Sequence, residues 1–267
     1  MNRSTRSSQA SVLLAFLLAL PAGSAHAAVS LFDSGGFESP AYALGDLEGQ
    51  NGWQATVGVL GTAVVQSSTV SGGSQAVQVD RAAGGDDRYG VLVSPTQRFV
   101  CVTWDMRVQQ TVSNDFGPFF GVEAYDDSGA ALARLGGLGV DASTGDVLYF
   151  DSAVGLAETG QLVAFGEWNA FQIDFDLGLQ QYSVFLNGAE LLTTDFESPA
   201  TTITDVDLAA LAASATGGDL TGTAYFDNFR VVETDSKRVT SVPDGGTTAL
   251  LSLLAFGGLG MLRRWLR

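Results

Sequence analysis

The chain has 267 residues, of which 46% are hydrophobic and 16% charged, with 33 glycines, 6 prolines, one cysteine and one histidine. Its 29 acidic residues outnumber 13 basic ones, and the excess is concentrated, since residues 28–241 hold 28 acids against 8 bases. A field of that sign repels phosphate backbones and anionic lipid, which argues against nucleic acid as a partner and leaves carboxylates available to calcium.

The N-terminus reads as an export signal. Arg3 and Arg6 give a positive start, and Val12 to Leu20 is an unbroken apolar run too short to span a bilayer. Pro21 and Gly23 break the run, and Ala25-His26-Ala27 supplies the small-x-small pattern of signal peptidase, which predicts a Sec signal over 1–27 with cleavage before Ala28. The arginines are not paired and no cysteine follows the run, so neither twin-arginine export nor lipoprotein processing is expected. His26 is the only histidine and leaves with the signal. The mature chain therefore lacks the means for Ser-His-Asp or Cys-His catalysis and for histidine-ligated zinc. Cys101 is alone and flanked by valines, which predicts a packed, inert thiol and no intramolecular disulfide.

The body, 28–233, is read as strands. Trp53 sits in the glycine-flanked stretch GQNGWQ. It is either an exposed platform for a sugar ring or a pin that holds the N-terminal segment against the core. In FVCVTWDMRV (99–108), Val100, Val102, Trp104, Met106 and Val108 share one face. A strand within 116–129 ends at Asp126-Asp127-Ser128-Gly129, and 132–151 reads as two strands around a turn at Asp141 to Gly145. In 168–188, Phe171, Ile173 and Phe175 alternate with polar residues before YSVFL and the hairpin signal Asn187-Gly188. VDLAALAA (206–213) comes nearest to a helical period and is read as one or two helical turns. A final strand covers 224–232. Strands with turns every ~8–12 residues predict one antiparallel sandwich. The polar stretch 234–241 then serves as a linker.

The carboxylates of the body give no catalytic assignment. Asp174 and Asp176 share a strand face, but Phe171, Ile173 and Phe175 fill the other, so a solvated strand face explains them. Asp86-Asp87 and Asp126-Asp127 suit turns. The loop from Asp141 has Asp146 and Ser152 where an EF-hand needs Gly and Glu.

Several pieces resemble a known architecture. Trp168, the Asp-bearing strand after it, Tyr182-Ser183-Val184 and Asn187-Gly188 resemble the core hairpin of concanavalin A-like, or laminin-G-like, jelly rolls. Gly36-Phe37-Glu38-Ser39-Pro40 and Tyr225-Phe226-Asp227-Asn228-Phe229 resemble the first and last strands of jelly-roll carbohydrate-binding modules. The resemblance implies an all-β jelly-roll sandwich, a structural calcium held by Glu38 and Asp227, and glycan as a ligand class. The strand signature of the glycoside hydrolases in this class, Glu-x-Asp-x-x-Glu, is absent.

The C-terminus carries three parts in order. Val242-Pro243-Asp244-Gly245-Gly246 precedes the apolar run 247–262, and Arg263, Arg264 and Arg267 close the chain. Thr247 to Leu266 is 20 residues, roughly 30 Å as a transmembrane helix. The arginines past it stay cytoplasmic and place the acidic body outside. This arrangement resembles the PEP-CTERM class of sorting signals in its Val-Pro-Asp-Ser-Gly variant, with Gly245 in place of Ser. The resemblance implies recognition by an exosortase, removal of the helix that first anchors the protein in the membrane, and delivery to the cell surface or extracellular matrix. The expected function is that of a non-catalytic surface protein that binds exopolysaccharide or another glycan. A polysaccharide-active enzyme on the same fold is the alternative.

Overall fold

The computed structural model describes residues 28–237 except 58–59, 113–115, 130 and 214–216. Ala25, Ala27, the motif Val242 to Gly246 and the apolar segment after it lie outside the described residues. Ala28 is described, next to the first strand. Among the described residues no helix is long and apolar enough to cross a membrane.

Two antiparallel sheets face each other across one main core, as expected for a jelly-roll sandwich. The first half of the chain gives β1 (Val29–Asp33), β2 (Gly45–Asp46), β3 (Gln54–Val57), β4 (Thr62–Gln66), β5 (Ala76–Arg81), β6 (Asp87–Leu92), β7 (Phe99–Val108) and β8 (Phe119–Asp126). The second gives β9 (Ala133–Asp141), β10 (Asp146–Asp151), β11 (Gly155–Leu162), β12 (Asn169–Asp176), β13 (Gln181–Leu186), β14 (Ala189–Asp195), β15 (Asp205–Leu211) and β16 (Gly222–Thr234). Sheet I runs β14-β13-β12-β7-β16-β5-β4-β2, with β1 added on β16; sheet II runs β11-β10-β9-β8-β15-β6-β3.

The alternation seen in the sequence sets the inner face of sheet I. Val100, Val102, Trp104, Met106 and Val108 on β7, and Phe171, Ile173 and Phe175 on β12, are all buried in the core. Cys101 is buried too. Trp104 stacks on Phe171 across the β7/β12 ladder, with ring centres 5.6 Å apart and planes within 12°. The β13/β14 turn has positive φ at both Asn187 (50°) and Gly188 (81°). That is the mirror-image turn whose twist suits a tight hairpin. Tyr182 on β13 crosses the core to sheet II, where its hydroxyl accepts from the Phe150 N–H at 3.1 Å and donates to the Phe150 carbonyl. Gly136 makes room for this ring, because a Cβ there would lie 2.5 Å from it.

One expected element is corrected. Residues 206–211, read as helical turns, belong to strand β15, hydrogen-bonded to β6 on one side and β8 on the other. Val206, Leu208 and Ala210 enter the core while Asp205, Asp207, Ala209 and Leu211 take the outer face. Two alanines raise helix propensity, but that preference amounts to tenths of a kcal/mol per residue. Two ladders and three core side chains in a period-2 pattern outweigh it. The last strand also runs further than expected, through Thr234, and Lys237 Nζ ends 3.4 Å from Ser183 Oγ on β13.

Candidate functional site

Glu38 and Asp227 each hold the 71–75 loop through its backbone donors. Glu38 accepts from the N–H groups of Ser74 (2.6 Å) and Gln75 (2.9 Å) and from Ser74 Oγ. Asp227 Oδ2 accepts from the N–H groups of Ser71 (3.0 Å) and Gly72 (3.1 Å), and Oδ1 from Asn228 N–H. Calcium takes six to eight oxygen ligands. Here each carboxylate is ringed by hydrogen-bond donors, whose positive ends oppose a cation, and the donor set does not fit the metal. Among the described residues no group of three or more acidic, Cys or His side chains is arranged to hold one. These hydrogen bonds pull the Glu38 carboxyl below its ordinary pKa, the Ser74 hydroxyl contributing most. Burial pushes the Asp227 carboxyl up despite its three donors. The pair fastens the 71–75 loop to β16 and the N-terminal segment.

Trp53 is the pin and not the platform. It is 0% exposed, its indole N–H donates to the Tyr42 hydroxyl at 3.0 Å, and Phe32, Phe37 and Phe229 surround its ring at 5.2–5.9 Å. With both ring faces covered, no sugar can stack on it. Asp176 is held by Arg98 at 2.6 Å, and Asp174 accepts from Gln172 at 2.8 Å. The solvated-face account fits Asp176 and understates the burial of Asp174, which is 9% exposed. Asp87, Asp126 and Asp141 are turn formers, each accepting backbone N–H groups of its own or a neighbouring loop.

The built polar site lies on the outer face of sheet II, on strands the sequence left without a function. Along β8, Phe120, Val122 and Ala124 enter the core, so Glu123 and Tyr125 point outward. The ladders set Glu123 beside Asp207 and Tyr125 beside Asp205. On the other side of β15, Asp207 faces Gly90 of β6, and Gly90 in turn faces Gln54 of β3. A residue without a side chain therefore separates Gln54 from Asp207. A cavity of about 480 Å³ opens over that gap, with Arg88, Tyr125, Asp205 and Asp207 in its lining and Leu92 and Leu132 beside them. Both leucines are exposed, at 69% and 63%.

Charges alternate across the floor. Glu123, 0% exposed, takes Arg88 Nε at 2.7 Å on one oxygen and Arg134 of β9 at 2.6 Å on the other. The Tyr125 hydroxyl donates to the Arg88-bound oxygen at 3.0 Å. Arg134 reaches on to Glu197 with a second, two-pronged contact and lies over the Phe150 ring at 3.6 Å. Burial first, then the neighbouring Glu123 charge, raises the Tyr125 phenol above its ordinary pKa. Burial likewise raises the Asp205 carboxyl, which hydrogen-bonds with Asp207 and feels Asp127 and Glu123.

Comparison with known proteins is consistent with this class of sandwich and this class of tail. Residues 241–266 match the family described as VPDSG-CTERM motif, which supports a PEP-CTERM-like sorting signal and, with it, an exported protein. No curated protein matches the sequence. Among solved structures, a carbohydrate esterase of a Shiga toxin-encoding bacteriophage superposes with TM-score 0.52 at 18% identity, covering 79% of this chain and 100% of its own. The endo-β-1,4-glucuronan lyase of the fungus Trichoderma reesei gives 0.51 at 13%, covering 72% and 95%. A sialidase gives 0.52 at 11%, but this chain spans only about a fifth of it, 19% of its length. At such identities the likeness establishes the fold alone.

Proposed function

We propose that this is an exported, exosortase-sorted surface or matrix protein that binds a glycan, without cleaving it, in the cavity on the outer face of sheet II. The observation that carries the reading is that cavity, roomy enough for a sugar unit, with hydrogen-bonding groups on its floor and two exposed leucines beside them. Sugars offer hydroxyls on their edges and C–H faces between them, and concave sites with few convergent polar groups among apolar ones match that chemistry.

Three features favour binding over cleavage. Asp205 and Asp207 lie two residues apart on one strand face, close enough to interact directly, whereas glycosidase carboxylates stand roughly 5–9 Å apart. Glu123 is held by two guanidiniums and a phenol, so it is poorly placed to take a proton. Tyr125 has a raised pKa, the wrong direction for a general base. The structural neighbours named as a lyase, an esterase and a sialidase keep a polysaccharide-active enzyme as the second reading.

Binding is tested on a panel of neutral and acidic oligosaccharides. At least one is retained, and Gln54→Trp, which fills the cavity from an exposed edge strand, weakens it by about tenfold or more. Retention of none, or an unchanged affinity in Gln54→Trp, rejects the cavity as a glycan site. Sorting is tested by intact mass in the native host. The exported form starts at Ala28 and lacks the apolar tail, and Pro243→Ala leaves the longer, membrane-held form. A wild-type protein found only with its tail, in cells with an active exosortase, makes the tail a simple anchor.

A further inference from the structure

The lining of the cavity carries three carboxylates and one guanidinium. We infer that it is built for sugars without a carboxylate, and that Asp205 and Asp207 are the specificity determinants that turn uronates away. This rests on the glycan-binding reading above and narrows it.

The argument begins with what each charge in the lining is already doing. Arg88 is the one guanidinium among the lining residues, and its Nε is committed to Glu123 at 2.7 Å and to the Tyr125 hydroxyl oxygen at 3.1 Å. Arg134 is engaged by Glu123 and Glu197 together. Both guanidiniums already carry carboxylate partners of the protein itself, which offsets much of the positive charge they offer an incoming carboxylate. Against them the lining adds Asp127, Asp205 and Asp207. The floor is thus acceptor-rich, with three carboxylates against one guanidinium.

A sugar hydroxyl is a donor, and a carboxylate at the cavity floor suits it as an acceptor. A uronate brings a carboxylate into the same half-enclosed space. Like charges brought together in a partly desolvated site repel far more than they do in water. Discrimination by repulsion needs no added attractive contact for the favoured ligand. Among the described residues no group of three or more Asp, Glu, His or Cys side chains is arranged to hold a divalent cation that would bridge the floor to a uronate. The body's acidic excess extends the same sign over longer range.

The test uses the purified full-length protein and matched oligosaccharide pairs that share linkage and length and differ only in oxidation of C6 to a carboxylate. For the pair that contains the ligand, the neutral member binds about tenfold or more tighter at low salt, and the gap narrows as salt rises, as screening requires. In the Asp205→Asn/Asp207→Asn variant the uronate gains affinity and the ratio falls by about tenfold, because the amides keep their shape and lose the charge. Asp205→Asn alone gives the same direction if the double variant folds poorly. A uronate that binds as tightly as its neutral twin overturns the inference while leaving a glycan site in place. So does a ratio unchanged in a variant with wild-type melting. If neither member of any pair binds, the glycan reading falls first and takes this one with it.

Discussion

Glu123→Ala lowers the stability of the sandwich by about 3–5 kcal/mol, the cost of leaving buried cations without their partner. Glu123 is 0% exposed and is the shared acceptor of Arg88, Arg134 and Tyr125. Truncation leaves Arg134 one remaining carboxylate, Glu197, and leaves Arg88 Nε facing a phenol oxygen. Burial opposes the Arg88 charge, and the contacts with Glu123 and Tyr125 outweigh it and hold the guanidinium above its ordinary pKa. For a domain of this size the loss corresponds to a melting temperature lower by roughly 6–20 °C. Arg98→Ala is the control. Its ion pair with Asp176 is equally short at 2.6 Å, but the arginine side chain is 48% exposed, and a solvated surface pair contributes little, so its removal barely moves the urea midpoint. Urea unfolding of both variants decides the matter. Equal small losses would mean that the alternating charges of sheet II contribute no more than a surface pair does.

The sequence revealed this fold where a strand alternates with one face buried and is closed by a turn of fixed chemistry. FVCVTWDMRV and NAFQIDFD paired as β7 and β12, and Asn187-Gly188 formed the hairpin turn that its residues demand. It misled at β15, where alanines mimic a helical segment and only the neighbouring strands show which period counts. The polar cluster on the outer face of sheet II was hidden for a different reason. Glu123 in FFGVEAYD reads as an outward, hydrated residue of an alternating strand. It is outward, yet Arg88 and Arg134 cover it, and they come from strands 35 and 11 residues away in the chain. Such a cluster exists only once the ladder β9-β8-β15-β6 is in register. The one local signal was Asp205-x-Asp207 leading into the period-2 run of Val206, Leu208 and Ala210, which places both carboxylates on one strand face. At Glu38 and Asp227 the resemblance implied a shared metal, whereas each carboxylate accepts backbone N–H groups of the 71–75 loop.

Trp53→Ala is expected to cost about as much as Glu123→Ala, through packing in place of charge. Large-to-small changes at buried aromatics cost about 3–5 kcal/mol, because the lost transfer energy is joined by a cavity that the surroundings only partly fill. Here the surroundings are rigid rings: Phe32 and Phe229 meet the indole edge-on at 5.5 and 5.2 Å, and Phe37 is tilted against it at 5.9 Å. Tyr42 is nearly as buried, at 2% exposure. Its hydroxyl would lose the indole donor and keep only Asn51, at 3.1 Å. Trp53→Phe separates the two contributions. It keeps most of the ring packing and removes the N–H, so its cost should be nearer the 1–3 kcal/mol of an unmade buried hydrogen bond. A tryptophan that served as a sugar platform would behave otherwise, since exposed side chains change stability by within about 0.5 kcal/mol. Urea midpoints for the alanine and phenylalanine variants therefore measure where the indole sits in solution. An alanine variant as stable as the wild type would return Trp53 to the surface, and would undo its assignment as the pin of the N-terminal segment.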